Sequence, residues 1–324
     1  MNRKFALLFP GQGSQAPGMG RFWYDNFAAS KRVYEICSEA LGRDLAKLCF
    51  ESNDAELSLT ANTQPAIVCT SIAALEGIRS EVELKADFAL GHSVGEYAAL
   101  IAAGVLALSD GIRAVRLRGQ VMQEAVPVGQ GGMIAVLGID EAEALEMCHL
   151  AEAESGVAPL AAANFNSPGQ IVLSGQKKAI DWLSENFKSE SHLSTKNKRV
   201  RLIPLNVSAP FHCAMMRPAE LKMRAHFETI TFANARIPVV QNINAKVETE
   251  ASNLRENLIG QVSAPVQWQK SMELLNHLGC SEGAELGQGQ VVKGLTKKIN
   301  PDFKVWSVQN LEEWKSLVQF LKGL

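Results

Sequence analysis

The chain has 324 residues, 47% of them hydrophobic and 20% charged, as expected of a soluble protein with one large core or a main domain plus an inserted one. A formal net charge of −2 gives no electrostatic footing for nucleic acid, and no stretch reaches the eighteen or so uncharged apolar residues of a membrane span. The cysteines, at 37, 49, 69, 148, 213 and 280, form no C-x-x-C pair; they read as reduced thiols of a cytoplasmic protein, and neither a disulfide framework nor a zinc or other metal site is expected.

Lys4 to Phe9 is an apolar run too short for a signal-peptide core, and P-G-Q-G-S-Q stops it, as a strand followed by a loop. Helical patterns follow at 27–41 and 63–79. A-D-F-A-L-G (86–91) reads as a buried strand running straight into the turn G-H-S-V-G. Glu96 to Val105 reads as an alanine-rich helix whose acidic residue complements the dipole in the first turn. Apolar strands alternating with helices predict a parallel α/β sheet covered by helices. Between 131 and 203 the rhythm changes. G-M-I-A-V-L-G-I, A-P-L-A-A-A-N-F-N, Q-I-V-L-S-G and R-V-R-L-I-P-L read as strands, with helices E-A-E-A-L-E-M-C-H-L and K-K-A-I-D-W-L-S-E-N-F between them. That order, β-α-β-β-α-β, is the ferredoxin-like arrangement. The predicted organisation is an α/β hydrolase-like core of residues 1–130 and 204–324, with a ferredoxin-like subdomain of residues 131–203 inserted.

Gly91-His92-Ser93-Val94-Gly95 fits G-x-S-x-G. The pentapeptide alone arises often by chance, but a preceding strand and a following helix are the setting a nucleophile elbow requires. Side chains at 91 and 95 would collide in so sharp a turn. Ser93 then projects its hydroxyl into a cleft, and the Val94 amide is free to donate to a developing oxyanion. A serine also needs a base. Of the histidines, His149, His192, His226 and His277 fall in helical or charged surface contexts, and His92 is expected to point away along the turn. His212, in N-V-S-A-P-F-H-C-A-M-M, follows a strand and a proline-marked turn, a place where α/β proteins put ligand-binding groups; on the residues alone it stays a candidate.

Arg118 follows from periodicity. The apolar stripe Ile112, Val115, Met122 includes position 118, so a guanidinium faces inward, either in a structural ion pair or as a clamp for a substrate carboxylate. Gly11-Gln12-Gly13-Ser14-Gln15-Ala16 formally fits a dinucleotide fingerprint, but Pro10 and Pro17 bracket the loop. A backbone N–H near Gln12 suits the same oxyanion as Val94 better. The glycine spacing at 289–294 lacks the lysine of a phosphate loop. Lys196, Lys198 and Arg199 form a basic cluster, read as a solvated loop or a docking patch for an acidic partner.

Together these residues resemble the malonyl-CoA:acyl carrier protein transacylases of fatty acid synthesis over nearly the whole chain. The resemblance rests on P-G-Q-G-S-Q at 10–15, G-H-S-V-G-E-Y-A-A-L at 91–100, R-G-Q-x-M at 118–122, F-H-C-A-M-M at 211–216, A-P-V-Q-W at 264–268 and G-L-T-K-K at 294–298. It implies that Ser93 is the nucleophile, His212 its base, Arg118 the ligand of the malonyl carboxylate, and the Gln12 and Val94 amides the oxyanion hole. It further implies a Ser–His dyad oriented by a backbone carbonyl near Gln261, with Asn164 near the cleft. Phe211 matches the aromatic of malonyl-selective relatives of the polyketide type. Gly287-Gln288-Gly289 departs from the family in lacking a proline between the glycines. The implied substrates are the CoA thioester malonyl-CoA and acyl carrier protein, which carries the phosphopantetheine; no bound cofactor, membrane or nucleic-acid partner is expected, and a monomer is. Lys297 and Lys298 join Lys196, Lys198 and Arg199 as expected docking residues. The alternatives are a thioesterase or serine hydrolase on the same core, a polyketide-pathway acyltransferase, and a non-catalytic carrier-protein adaptor.

Overall fold

In the computed structural model, which describes residues 4–193 and 199–323, the first strand β1 (Lys4–Phe9) is buried almost throughout. Phe5, Leu7 and Phe9 enter one apolar core, and Ala6 and Leu8 another on the opposite face. A strand covered on both faces has no polar side, which is why its sequence reads as a continuous apolar run. Beside it lie β2 (Phe88–Gly91) and β9 (Cys280–Glu285), and β10 (Lys304–Ser307) extends the sheet beyond β9. On the other side β2 pairs with β7 (Val239–Val240), and β8 (Val247–Glu248) closes that edge. All pairs are parallel except β7–β8.

The helices Ala28–Leu41, Thr60–Arg79, Gly95–Ala102 and Leu108–Glu124 fill one face of this sheet, and Trp268–His277 and Val291–Ile299 the other. Each fully buried leucine or phenylalanine in these layers contributes roughly 1.5–3 kcal/mol. The helix predicted at 63–79 begins at Thr60, and the one predicted at Glu96–Val105 runs Gly95–Ala102, because the chain turns at Gly104 (φ 75°).

A second, antiparallel sheet comprises β3 (Gly131–Leu137), β4 (Leu160–Ser167), β5 (Gln170–Gln176) and β6 (Arg201–Pro204) in the order β4-β5-β3-β6. The helices Glu141–Ser155 and Lys177–Asn186 intervene, giving the ferredoxin-like topology. One face of this sheet (Ile134, Val136, Ile171, Leu173) packs on those two helices. The opposite face (Met133, Ala135, Ala163, Val172) joins the core around the first sheet. Strand β4 is also tied to the segment before Trp268: Val266 N donates to Ala163 O (2.9 Å) and Phe165 N to Val266 O (2.9 Å). A cleft therefore opens between the two sheets. No helix among the described residues is long and apolar enough to cross a membrane.

Candidate active site

Strands β1, β2 and β7 lie side by side in the same direction, so the loops leaving their C-terminal ends meet. These loops carry Gln12, the turn His92-Ser93-Val94, and Gln241-Asn242. Ser93 sits at φ 51°, a left-handed conformation that costs a non-glycine residue about 1–3 kcal/mol. Asn242 holds it there: its Oδ1 accepts from Ser93 N (2.7 Å) and its Nδ2 donates to Gly91 O (2.7 Å), spanning the turn. The glycines are required by contact. A Cβ on Gly91 would stand 2.0 Å from the Gly95 carbonyl carbon, and one on Gly95 would stand 2.4 Å from Phe9 O. Gln12 and Val94 both line the cleft, and their amides find no acceptor among the described residues.

Ser93 Oγ lies 2.7 Å from His212 Nε2. His212, itself at φ 60°, places Nδ1 3.0 Å from Gln261 O and 3.2 Å from Ala264 O. Carbonyls only accept, so the hydrogen resides on Nδ1, leaving Nε2 bare to accept the serine proton. Burial lowers the imidazole pKa to about 3, helped by the nearby Arg118 charge and opposed by the Gln261 carbonyl. The sign follows directly: a lowered pKa keeps the ring neutral, and competent as a base, well into acid. We expect nitrogen-15 spectra of the histidines to show His212 as the neutral Nδ1–H tautomer down to about pH 5. Titration near the ordinary 6.5 would contradict this environment.

Arg118 is 2% exposed, on the inward face of its helix. No carboxylate lies within ion-pair distance among the described residues. Its Nη1 donates to Gln64 Oε1 (2.8 Å), and its Nη2 to Gln261 Oε1 (2.9 Å) and Ser93 Oγ (3.2 Å), while Nε has no partner. A buried guanidinium held only by neutral groups is under-compensated, and an anion beside Ser93 would complete it. Gln64 continues outward through Thr60 Oγ1 (3.1 Å) to the Gln12 side chain (2.9 Å), so Arg118 and the Gln12 loop share one chain of hydrogen bonds.

The cavity in front of Ser93 holds about 160 Å3, with Phe211, Met122, Met133 and Val172 as its apolar wall and Asn164 as a polar one. One sequence expectation is corrected here. His92 does not point away from the cleft; its ring lines the wall, with Nε2 2.8 Å from Asn166 Oδ1 and the Trp268 ring 5.5 Å away. The turn that lifts Ser93 also swings its neighbour toward β4. Of the expected docking residues, Lys196 and Lys198 lie outside the described residues, and Lys298 Nζ donates to Gln170 Oε1 at 2.9 Å.

The family model of the acyl transferase domain matches residues 6–279. The chain is 42% identical over 319 residues to the malonyl CoA-acyl carrier protein transacylase of Bacillus subtilis (strain 168), covering 98% of each. It belongs to the malonyl CoA-acyl carrier protein transacylases. Among solved structures, the acyl carrier protein S-malonyltransferase of Vibrio cholerae matches with a TM-score of 0.90 at 34% identity, over 97% of this chain and 99% of that one. A malonyl-transacylase solved in complex with its type II PKS acyl-carrier protein matches with a TM-score of 0.89 at 34% identity, over 99% and 100%.

Three groups around this transacylase site escaped the sequence reading: Gln64, Asn242 and the carboxylate of Glu96. Glu96 is fully buried, accepting from Gln261 Nε2 (2.9 Å), Asn242 N (3.0 Å) and Gln241 Nε2 (3.3 Å). Burial pushes its carboxyl up to about 7 against those donors and the Arg118 charge. A signal was present: E-Y-A-A-L-I-A-A is apolar on every face, so a glutamate at its start has no solvent to meet. Asn242 offered none, because its partners lie some 150 residues away.

Proposed function

We propose that the chain transfers the malonyl group from malonyl-CoA to the phosphopantetheine thiol of acyl carrier protein through a malonyl ester on Ser93, supplying fatty acid synthesis. The observation that carries this reading is the under-compensated Arg118 guanidinium 3.2 Å from the Ser93 hydroxyl. An acyl group with a second carboxylate places one end on the oxygen and the other on the cation. His212 Nε2 takes the Ser93 proton as Oγ attacks the thioester carbonyl. The oxyanion forms between the Gln12 and Val94 amides, and collapse expels CoA, which leaves as a thiol with the proton returned by His212. The carrier-protein thiol then repeats the sequence in reverse on the ester. The Gln261 carbonyl replaces the usual aspartate: it fixes the tautomer without adding negative charge beside a substrate carboxylate.

Phe211 closes the cavity beside His212, leaving little room for a branch at C2, a discrimination worth roughly 1–3 kcal/mol per methyl. With the chain divided into a core of residues 1–130 and 204–324 and an insertion of residues 131–203, the core supplies Met122 and Phe211 to the cavity wall and the insertion supplies Met133 and Val172. Six buried free thiols suit a cytoplasmic setting.

The test is intact-protein mass spectrometry after mixing with malonyl-CoA. A persistent malonyl adduct on Ser93 that clears when holo-acyl carrier protein is added is expected, with methylmalonyl-CoA about 10–200-fold poorer. Rapid release of free malonate would instead identify a hydrolase.

A further inference from the structure

Among the described residues, the three groups hydrogen-bonded to the buried Glu96 carboxylate are all donors, and each is held in that role by a contact of its own. Asn257 Nδ2 donates to Gln241 Oε1 (2.6 Å), which turns the Gln241 amide nitrogen toward Glu96. Arg118 can only donate, so the Gln261 side-chain oxygen must face it, and Gln261 Nε2 must face Glu96 (2.9 Å) and Ser93 O (2.9 Å). The third donor is the backbone N–H of Asn242, the residue that brackets the nucleophile turn. Two chains of hydrogen bonds thus end on one carboxylate, one running through Gln261 to Arg118, the other through Asn242 to Ser93.

We propose that Glu96 is a positioning residue for malonyl selection: its carboxylate orients the Gln261 side chain, and Gln261 in turn aims the Arg118 guanidinium at the acyl site beside Ser93. The negative charge also offsets part of the cost of burying the Arg118 cation. An amide in place of the carboxylate removes the charge and leaves one acceptor oxygen where there were two. Asn242 N and Gln261 Nε2 share one carboxylate oxygen, and Gln241 Nε2 meets the other. With Gln at 96, its oxygen stays on the shared side, its N–H opposes the Gln241 N–H, and the charge-assisted hold on Gln261 becomes a weaker neutral one, which loosens the aim of the Arg118 guanidinium.

This inference rests on Arg118 holding the malonyl carboxylate, so Arg118→Ala is measured beside Glu96→Gln. The readouts are kcat and KM for malonyl- and acetyl-CoA, with thermal melting to report folding. We expect Glu96→Gln to lower malonyl kcat/KM by about tenfold or more, mostly through KM, and acetyl transfer by less than about threefold. Gln261→Leu keeps the backbone carbonyl that holds His212 but cuts the chain. The ratio of malonyl to acetyl kcat/KM in the double variant should therefore fall no further than in the worse single variant. Additive losses in the double variant, equal losses for both acyl groups, or an unchanged ratio would each overturn the role. Should Glu96→Gln fail to fold, Glu96→Asp keeps the charge while withdrawing it from Gln261, and an unchanged ratio there overturns the proposal equally. If Arg118→Ala lowers the ratio and Glu96→Gln does not, only the positioning role fails. If Arg118→Ala leaves it unchanged, the clamp reading and this one fail together.

Discussion

Ser93→Ala is expected to abolish the malonyl adduct and to lower transfer to acyl carrier protein by on the order of 10⁴–10⁶-fold. The expectation follows from the dyad: the hydroxyl 2.7 Å from a bare imidazole nitrogen is the group placed to take the acyl chain. What survives in the variant is the pair of Gln12 and Val94 amides proposed to hold the oxyanion, which would still polarise a thioester carbonyl but have no bond to form. His212→Ala should cost a comparable factor, and the two together little more than either alone, because base and nucleophile act as one unit. The fold should tolerate both changes in melting experiments, since the turn at Ser93 is held by Asn242 and by the glycines, not by the hydroxyl. Undiminished transfer by Ser93→Ala, or an adduct elsewhere on the chain, would return the protein to the adaptor reading.

Arg118→Ala is expected to lower malonyl kcat/KM by on the order of 10²–10³-fold while acetyl transfer is retained or rises. Among the described residues the guanidinium's hydrogen-bond partners are all neutral and no other cation lines the cavity, so its loss removes the charge that a dicarboxylic acyl group can meet there. A second consequence separates clamp from scaffold. The Arg118 charge is the second largest influence holding the His212 pKa down, after burial. Removing it lets the imidazolium form more readily, so His212 should titrate at higher pH in the variant, seen directly by nitrogen-15 spectra. Equal loss for both acyl groups would count against the clamp.

The α/β class, the strand–turn–helix around Ser93, the inward-facing Arg118 and the β-α-β-β-α-β order were legible in the sequence. Each depends on residues close in the chain. Gly91 and Gly95 are four apart and meet within one turn, and Arg118 shares a helical stripe with Val115 and Met122. Glu96 does stand in the first turn of its helix, but its burial was not legible there, because that end is sealed by Gln241, Asn242 and Gln261 from far along the chain. His92 was misplaced because nothing near it in the chain announces Asn166 across the cleft.

Local spacing by itself determined that a serine stands on a strained elbow and that a cation faces inward, because backbone sterics and helical periodicity act over a few residues. Only the tertiary structure decided that His212 meets Ser93 across 119 positions, that a Gln261 carbonyl takes the place of an acid, and that Arg118 ends beside the nucleophile without a carboxylate. Those contacts arise from the strand order β1-β2-β7 and from the second sheet closing over it. The chain pattern names the elements of such a packing but not which of their ends will touch.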